Sequence, residues 1–162
     1  MFSNTFRFID DLCALNDNNE FENNFKQIYP EELELKKKNV DPHEASFLDL
    51  KIKINNRSFS TKLFDKRDSF PFYINRMPFL DSNMPSKIFY SAVGSEILRI
   101  ARATTEPNDF KHRVVNLLVR MKKQGSEHQR ILSLMKKIYG KHQKVFSKFA
   151  DTANNFIKIF SL

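Results

Sequence analysis

Residues 47–64 read Phe47-Leu48-Asp49-Leu50-Lys51-Ile52-Lys53-Ile54-Asn55-Asn56-Arg57-Ser58-Phe59-Ser60-Thr61-Lys62-Leu63-Phe64. In an extended chain Leu48, Leu50, Ile52 and Ile54 fall on one face and Asp49, Lys51 and Lys53 on the other, the period of a half-buried strand. Asn55-Asn56 tolerates the positive φ that a two-residue hairpin turn requires. Phe59, Thr61 and Leu63 then alternate on the way back. The pattern predicts a β-hairpin across 47–64.

Working outward, the two flanks differ in character. Upstream, Thr5-Phe6-Arg7-Phe8-Ile9 and Leu12-Cys13-Ala14-Leu15 are short apolar runs around Asp10-Asp11, which predicts a tight hairpin with the carboxylates at its tip. A central-looking strand this early suggests a fold that begins upstream of Met1. Asn16-Asp17-Asn18-Asn19 offers N-caps for a helix carrying Phe21, Phe25 and Ile28 and ended by Pro30. Leu33-Glu34-Leu35-Lys36 alternates like a short strand. Downstream, Pro71, Pro78 and Pro85 punctuate an irregular stretch, and helical periodicity takes over. Phe89, Val93, Ile97 and Ile100 mark one helix. Phe110, Val114, Leu117, Leu118 and Met121 mark a second, stopped by Gly125. A third, from Ser126, carries Ile131, Leu134, Met135 and Ile138. A fourth carries Val145, Phe149, Ala153, Phe156 and Phe160. The fold class is α+β, with a β-rich region over 1–80 and a bundle of about four helices over 81–162.

Charge follows the same division. Residues 1–50 hold 5 Lys/Arg against 11 Asp/Glu, residues 51–104 hold 10 against 4, and residues 105–162 hold 12 against 4. The net +8 is therefore concentrated behind an acidic front, a distribution suited to cations at the front and a polyanion at the rear. The alternative is that helix lysines merely solvate an exposed face. Of the aromatics, 17 are Phe and none is Trp, which points most rings to the core and leaves a minority for stacking on bases. Cys13 is the single cysteine, so disulfides and thiolate clusters are excluded and a reducing compartment is implied. No apolar run reaches the length of a membrane span, and residues 1–6 lack a secretory pattern. The expected location is intracellular, nuclear or cytoplasmic, with no membrane partner.

Two adjacent carboxylates at a hairpin tip repel unless a cation sits beside them. Divalent ions bridging carboxylates and phosphate oxygens are the machinery of nucleotidyl transfer. A bare Asp-Asp turn is common, but Arg7-Phe8-Ile9-Asp10-Asp11-Leu12 resembles the aromatic-x-Asp-Asp box of reverse transcriptases. Ser46-Phe47-Leu48-Asp49-Leu50-Lys51-Ile52 and Ser60-Thr61-Lys62-Leu63-Phe64-Asp65-Lys66-Arg67 resemble the segment that follows the palm in Penelope-like retroelements. The later helices, with Arg99, Arg102 and Arg113, are similar in placement to that family's thumb. The resemblance covers roughly residues 5–125, and the acidic box is its specific motif.

The resemblance implies RNA-templated DNA synthesis by a truncated polymerase palm and a helical thumb-like bundle. Asp10 is then the principal ligand of Mg²⁺ or Mn²⁺ and Asp11 a weaker or outer one, with Phe8 under the primer end. The 47–64 hairpin lies near the primer terminus, and the helices hold the RNA template and DNA primer. The implied nucleic-acid contacts are Phe8, Lys62, Lys66, Arg67, Arg99, Arg102, Arg113, Lys122 and Lys123. The family also has a metal-binding Asp and a fingers region ahead of the box. Only nine residues precede Asp10. The expectation is an upstream polymerase portion in the full-length protein, metal bound only in the complete polymerase, and an inactive isolated chain.

Among the remaining candidates, Lys36 of the Lys36-Lys37-Lys38 run is a possible general acid toward pyrophosphate, against the simpler reading of a solvated charge run. His43, His112, His128 and His142 are too scattered for a ligand set. With 3 Gly in the chain there is no phosphate-binding Gly loop. Lys122-Lys123, Lys136-Lys137, Lys141, Lys144 and Lys148 recur through the last helices, where phosphate contacts would be tuned to shape rather than sequence. Three functions follow: a polymerase fragment, a non-catalytic nucleic-acid-binding remnant of a retroelement, or a small basic scaffold.

Overall fold

The computed structural model describes residues 4–15, 19–39, 41–72, 74–75 and 77–160. Strands β1 (Thr5–Phe8) and β2 (Asp11–Ala14) form an antiparallel ribbon in which Phe8 pairs with Asp11, leaving Ile9-Asp10 as the loop. Helix α1 (Glu20–Ile28) buries Phe21 and Phe25, and Tyr29 stacks on Phe25 at 4.8 Å between ring centres. Asn19 stands at the N-cap position without a side-chain cap bond. The other three cap candidates, 16–18, lie outside the described residues.

The strand expected over 33–36 does not form. Its backbone has no neighbouring strand to pair with, and Lys26 Nζ instead reaches the carbonyls of Glu31 (2.8 Å) and Leu33 (3.3 Å).

The second sheet is antiparallel, in the order β3 (Glu44–Phe47), β4 (Leu50–Asn55), β5 (Ser58–Leu63). The hairpin read over 47–64 is present as β4–β5, but two details differ. The chain reverses at Leu48-Asp49 instead of continuing as one strand from Phe47, because Leu48 takes a φ of 54°. The β4–β5 loop is Asn56-Arg57, one residue later than expected, with Asn56 supplying the positive φ of 48°. Leu50, Ile52 and Ile54 face Leu63, Thr61 and Phe59 across this pair. One end of that apolar face reaches the core through buried Leu63, and the other leaves Ile54 and Phe59 exposed.

A 3-10 turn (Lys66–Ser69) and an irregular stretch lead to the helices α2 (Ser86–Ala103), α3 (Pro107–Lys123), α4 (His128–Lys141), α5 (Gln143–Phe146) and α6 (Ala153–Lys158). The predicted stripe Phe89, Val93, Ile97 and Ile100 is buried on α2. Gly94 sits where α4 comes closest, since a Cβ there would lie 3.2 Å from Leu134 and 3.3 Å from Ile138. Helix α3 ends as Gly125 predicts: with φ 88° there, Gly125 N–H bonds Lys122 O and Ser126 N–H bonds Met121 O, the paired bonds of a Schellman motif. The expected fourth helix is two short pieces, because Thr152 interrupts it by capping α6 with its hydroxyl on Asn155 N–H. Phe110 is central to the rear core, stacked on Phe149 at 4.0 Å and touching Phe146, Phe156 and Phe160.

Among the devices that join the sheet to the helices, three stand at the end of β5. Leu63 belongs to the helical core. Thr105, between α2 and α3, bonds the free edge of β5: its N–H reaches Thr61 O (2.9 Å), and its hydroxyl oxygen accepts from Thr61 N–H (2.9 Å). The third is Asp65, whose side chain is 7 % exposed. It accepts from Arg67 N–H and Nε (2.7 Å), pairs with Arg67 Nη2, and receives Arg113 Nη2 of α3 at 2.6 Å. The Arg67 side-chain bonds, outweighing burial and aided by the charge of Arg113, lower the Asp65 carboxyl from 3.8 to about 2.

Removing one partner of such a pair strands buried charge, so Asp65→Ala lowers stability by about 3 kcal/mol, read from the urea midpoint. A depressed carboxyl contributes stability that is complete above its unfolded value and lost as pH falls through its folded one. In the native protein this contribution is therefore present above about pH 4 and disappears toward pH 2. In Asp65→Ala that part of the acid dependence is absent.

Candidate functional site

The two carboxylates stand at the tip of the β1–β2 ribbon, but its loop is Ile9-Asp10, one residue earlier than the expected Asp10-Asp11. Asp10 is a loop residue and exposed, while Asp11 opens β2 and is half-buried. The loop is strained: Ile9, a β-branched residue, takes a φ of 53°. Arg7 holds that turn, with Nε donating to Ile9 O at 2.9 Å and its guanidinium over the Tyr29 ring at 5.3 Å. Leu48-Asp49 repeats the device, as a bulky residue at positive φ followed by Asp in a two-residue loop. There Asp49 pairs with Arg99 at 3.1 Å. At the first loop Phe8 is exposed beside the carboxylates.

Lys38 Nζ lies 2.8 Å from Asp11 Oδ1. The hydrogen bond to Asp11, then its charge, and to a smaller degree the charge of Asp10, hold the Lys38 ammonium above the ordinary lysine range. Lys36, the expected general acid, is exposed and pairs with Glu34 at 3.4 Å. Lys37 pairs with Glu22 at 3.0 Å. Sequence reasoning missed Lys38 because its partner stands 27 residues away and nothing local distinguishes the three lysines. Two carboxylates are hard oxygen donors and suit Mg²⁺ or Mn²⁺ in kind. Among the described residues no group of three His, Cys, Asp or Glu side chains converges. The tip presents two carboxylates and no third such side chain among the described residues.

The basic residues divide into two classes. Arg67 and Arg113 are tied to Asp65, and Arg113 also pairs with Asp68. Arg99 bridges Glu96 (3.1 Å) and Asp49. Lys62 stands 3.6 Å from Asp109. Lys148 reaches back to the backbone: its Nζ donates to Thr104 O at 2.6 Å, closing the C-terminus of α2, and partial burial lowers its ammonium. Lys66, Arg102, Lys122 and Lys123 are exposed and make no ion pair among the described residues. Arg102 borders an open groove between the β4–β5 pair and α2, with Arg99, Leu50 and Leu98 on its walls. The structure thus leaves Asp10, Asp11 and Phe8 accessible together and does not join them to Arg67, Arg99 or Arg113, which serve as ties within the fold.

No protein-family model, curated protein or solved structure matches the chain.

The pairing of Lys38 with Asp11 generates a measurable competition. Mn²⁺ titration broadens the amide resonances of residues 9–12 first, with a dissociation constant of about a millimolar for so small a donor set. Lys38→Gln tightens that binding by removing the competing ammonium, and Asp10→Asn with Asp11→Asn abolishes it. Broadening that begins elsewhere, or that survives the double substitution, contradicts the site.

Proposed function

We propose that the chain is the rear portion of an RNA-directed DNA polymerase of a retroelement, its Asp10-Asp11 tip forming part of the metal site for nucleotidyl transfer. The observation that carries this reading is the accessible pair of carboxylates at a strained two-residue loop, beside the exposed ring of Phe8. Tight turns rarely hold a β-branched residue at positive φ, and such strain gathers at functional loops. The resemblance of Phe8-Ile9-Asp10-Asp11-Leu12 to the reverse transcriptase box supports the same assignment.

Asp10, with no competing cation, is the principal ligand. Asp11 becomes one when Lys38 swings away, which costs little because the lysine is exposed. A divalent cation held there supplies charge neutralisation on phosphate oxygens and a more acidic attacking hydroxyl. Phe8 offers a flat apolar face against which a terminal base or sugar packs. The remaining ligands and the nucleotide pocket come from an upstream polymerase portion. Lys38 has a second consequence in this scheme: released from Asp11, its ammonium lies near any triphosphate bound at the tip.

The test is primer extension on an RNA template by the chain joined in frame to its upstream polymerase portion. Asp10→Ala lowers extension by about a thousandfold or more, the several kcal/mol that metal stabilisation of the developing charge supplies. Lys36→Ala leaves it within about twofold, since Lys36 is exposed and its ion pair is with Glu34 rather than with either tip carboxylate. Extension that survives Asp10→Ala contradicts the metal assignment.

A further inference from the structure

Residues 128–150 contain six Lys/Arg and not one Asp or Glu. The structure sorts these six cations. Arg130 pairs with Glu127, and Lys148 closes α2. The other four, Lys136, Lys137, Lys141 and Lys144, are exposed and have no partner among the described residues. They follow i, i+1, i+5 and i+8 along α4 and into α5, on the side away from buried Ile131, Met135 and Tyr139. At 3.6 residues per turn, the three that lie on α4 spread over an arc of roughly 140° on the solvent side of its last turns. Gly140 lies among them with open space where a Cβ would be, so nothing bulky stands between the ammonium groups.

From this ridge we infer that Lys136, Lys137, Lys141 and Lys144 form a sequence-independent track for the phosphate backbone of a nucleic-acid duplex. Four uncompensated charges close together produce a local field that Lys36, Lys37, Lys38 and Lys51, each paired with a carboxylate, do not. Two further observations select the ligand. Among the described residues, the large apolar side chains that are exposed all lie at or before Val119. The ridge therefore has nothing to insert into a bilayer, where amphipathic surface helices combine cations with apolar anchors. It also has no exposed ring on which unpaired bases stack, the feature that single-strand binders use. What is left is charge recognition, strongest for the polymer of highest charge density. The inference rests on the nucleic-acid part of the proposed function and is independent of Asp10 and Asp11.

The experiment measures affinity of the 162-residue chain for a 20-base-pair duplex by fluorescence anisotropy, as a function of salt. Replacing all four ridge lysines by Gln reduces the slope of log affinity against log salt by about 3.6, at roughly 0.9 for each phosphate that is no longer neutralised. A control of equal charge, Lys36→Gln, Lys37→Gln, Lys51→Gln and Lys53→Gln, changes the slope by less than about one. Unchanged circular dichroism and melting temperature in both variants exclude misfolding. Equal reduction in the two variants overturns the ridge, because net charge alone would then explain binding. Failure of the native chain to bind duplex overturns it, as does stronger dependence of phosphatidylserine-vesicle binding than of duplex binding on these four lysines. Duplex binding through the ridge without nucleotide addition by the joined polymerase contradicts the polymerase reading alone. Metal-dependent addition without ridge-dependent binding contradicts this inference alone.

Discussion

The carboxylate of Asp65 is where the two halves of this molecule meet. It follows β5, lies almost wholly out of water, and is held by the guanidinium two residues on and by another 48 residues on, in α3. An ion so placed is unfavourable by itself and becomes favourable only when every lone pair is used. Satisfying it fixes the exit of the sheet against the helical bundle, and the neighbouring joints are built on that alignment. Leu63, two residues earlier, enters the helical core, and Thr61 takes both hydrogen bonds of Thr105. With the sheet edge anchored at this end, the opposite end of the β4–β5 pair projects with Ile54 and Phe59 in solvent.

Charge is used in two ways by the same side-chain types, and the distinction decides what each can do. Arginines placed by sequence on a nucleic-acid face, Arg67, Arg99 and Arg113, are spent on carboxylates that align strands with helices. Arg suits that task because its planar fork makes two bonds at once. The lysines of α4 and α5, compact and strongly hydrated, are left facing water. At the front, Lys38 stands on Asp11 where a divalent cation would compete with it. A proposed metal tip and a proposed phosphate track thus lie on different elements, each defined by which charges the fold has left uncompensated.

How far the sequence could be read depends on the range of the interaction. Period-two alternation in Leu50–Ile54 and period-3.6 stripes in α2 and α3 reflect burial on one face, and both were legible. Gly125 was legible because local backbone demands select residue type, and the ribbon around Asp10 because two apolar runs flank it, although its loop begins one residue early, at Ile9. The reversal at Leu48-Asp49 was not, because a bulky residue at positive φ is the option that propensity argues against. Neither was the break at Thr152, where a cap overrides an apolar pattern that continues through it. At the tip, the carboxylates could be found but not Lys38. In the rear, Lys148 reads like its neighbours in sequence and differs only by a hydrogen bond to a carbonyl 44 residues away. Interactions of that length leave no periodic trace, so they come from the folded chain alone.

The central claim, that this chain is the rear of a nucleotidyl-transferring polymerase, is tested most directly by sequencing the transcript and genomic DNA upstream of Met1. The account predicts a reading frame that continues without interruption into a strand carrying a further Asp, preceded by a basic fingers-like region. An in-frame stop codon immediately upstream in every transcript would contradict it, leaving the basic ridge as the functional surface to pursue.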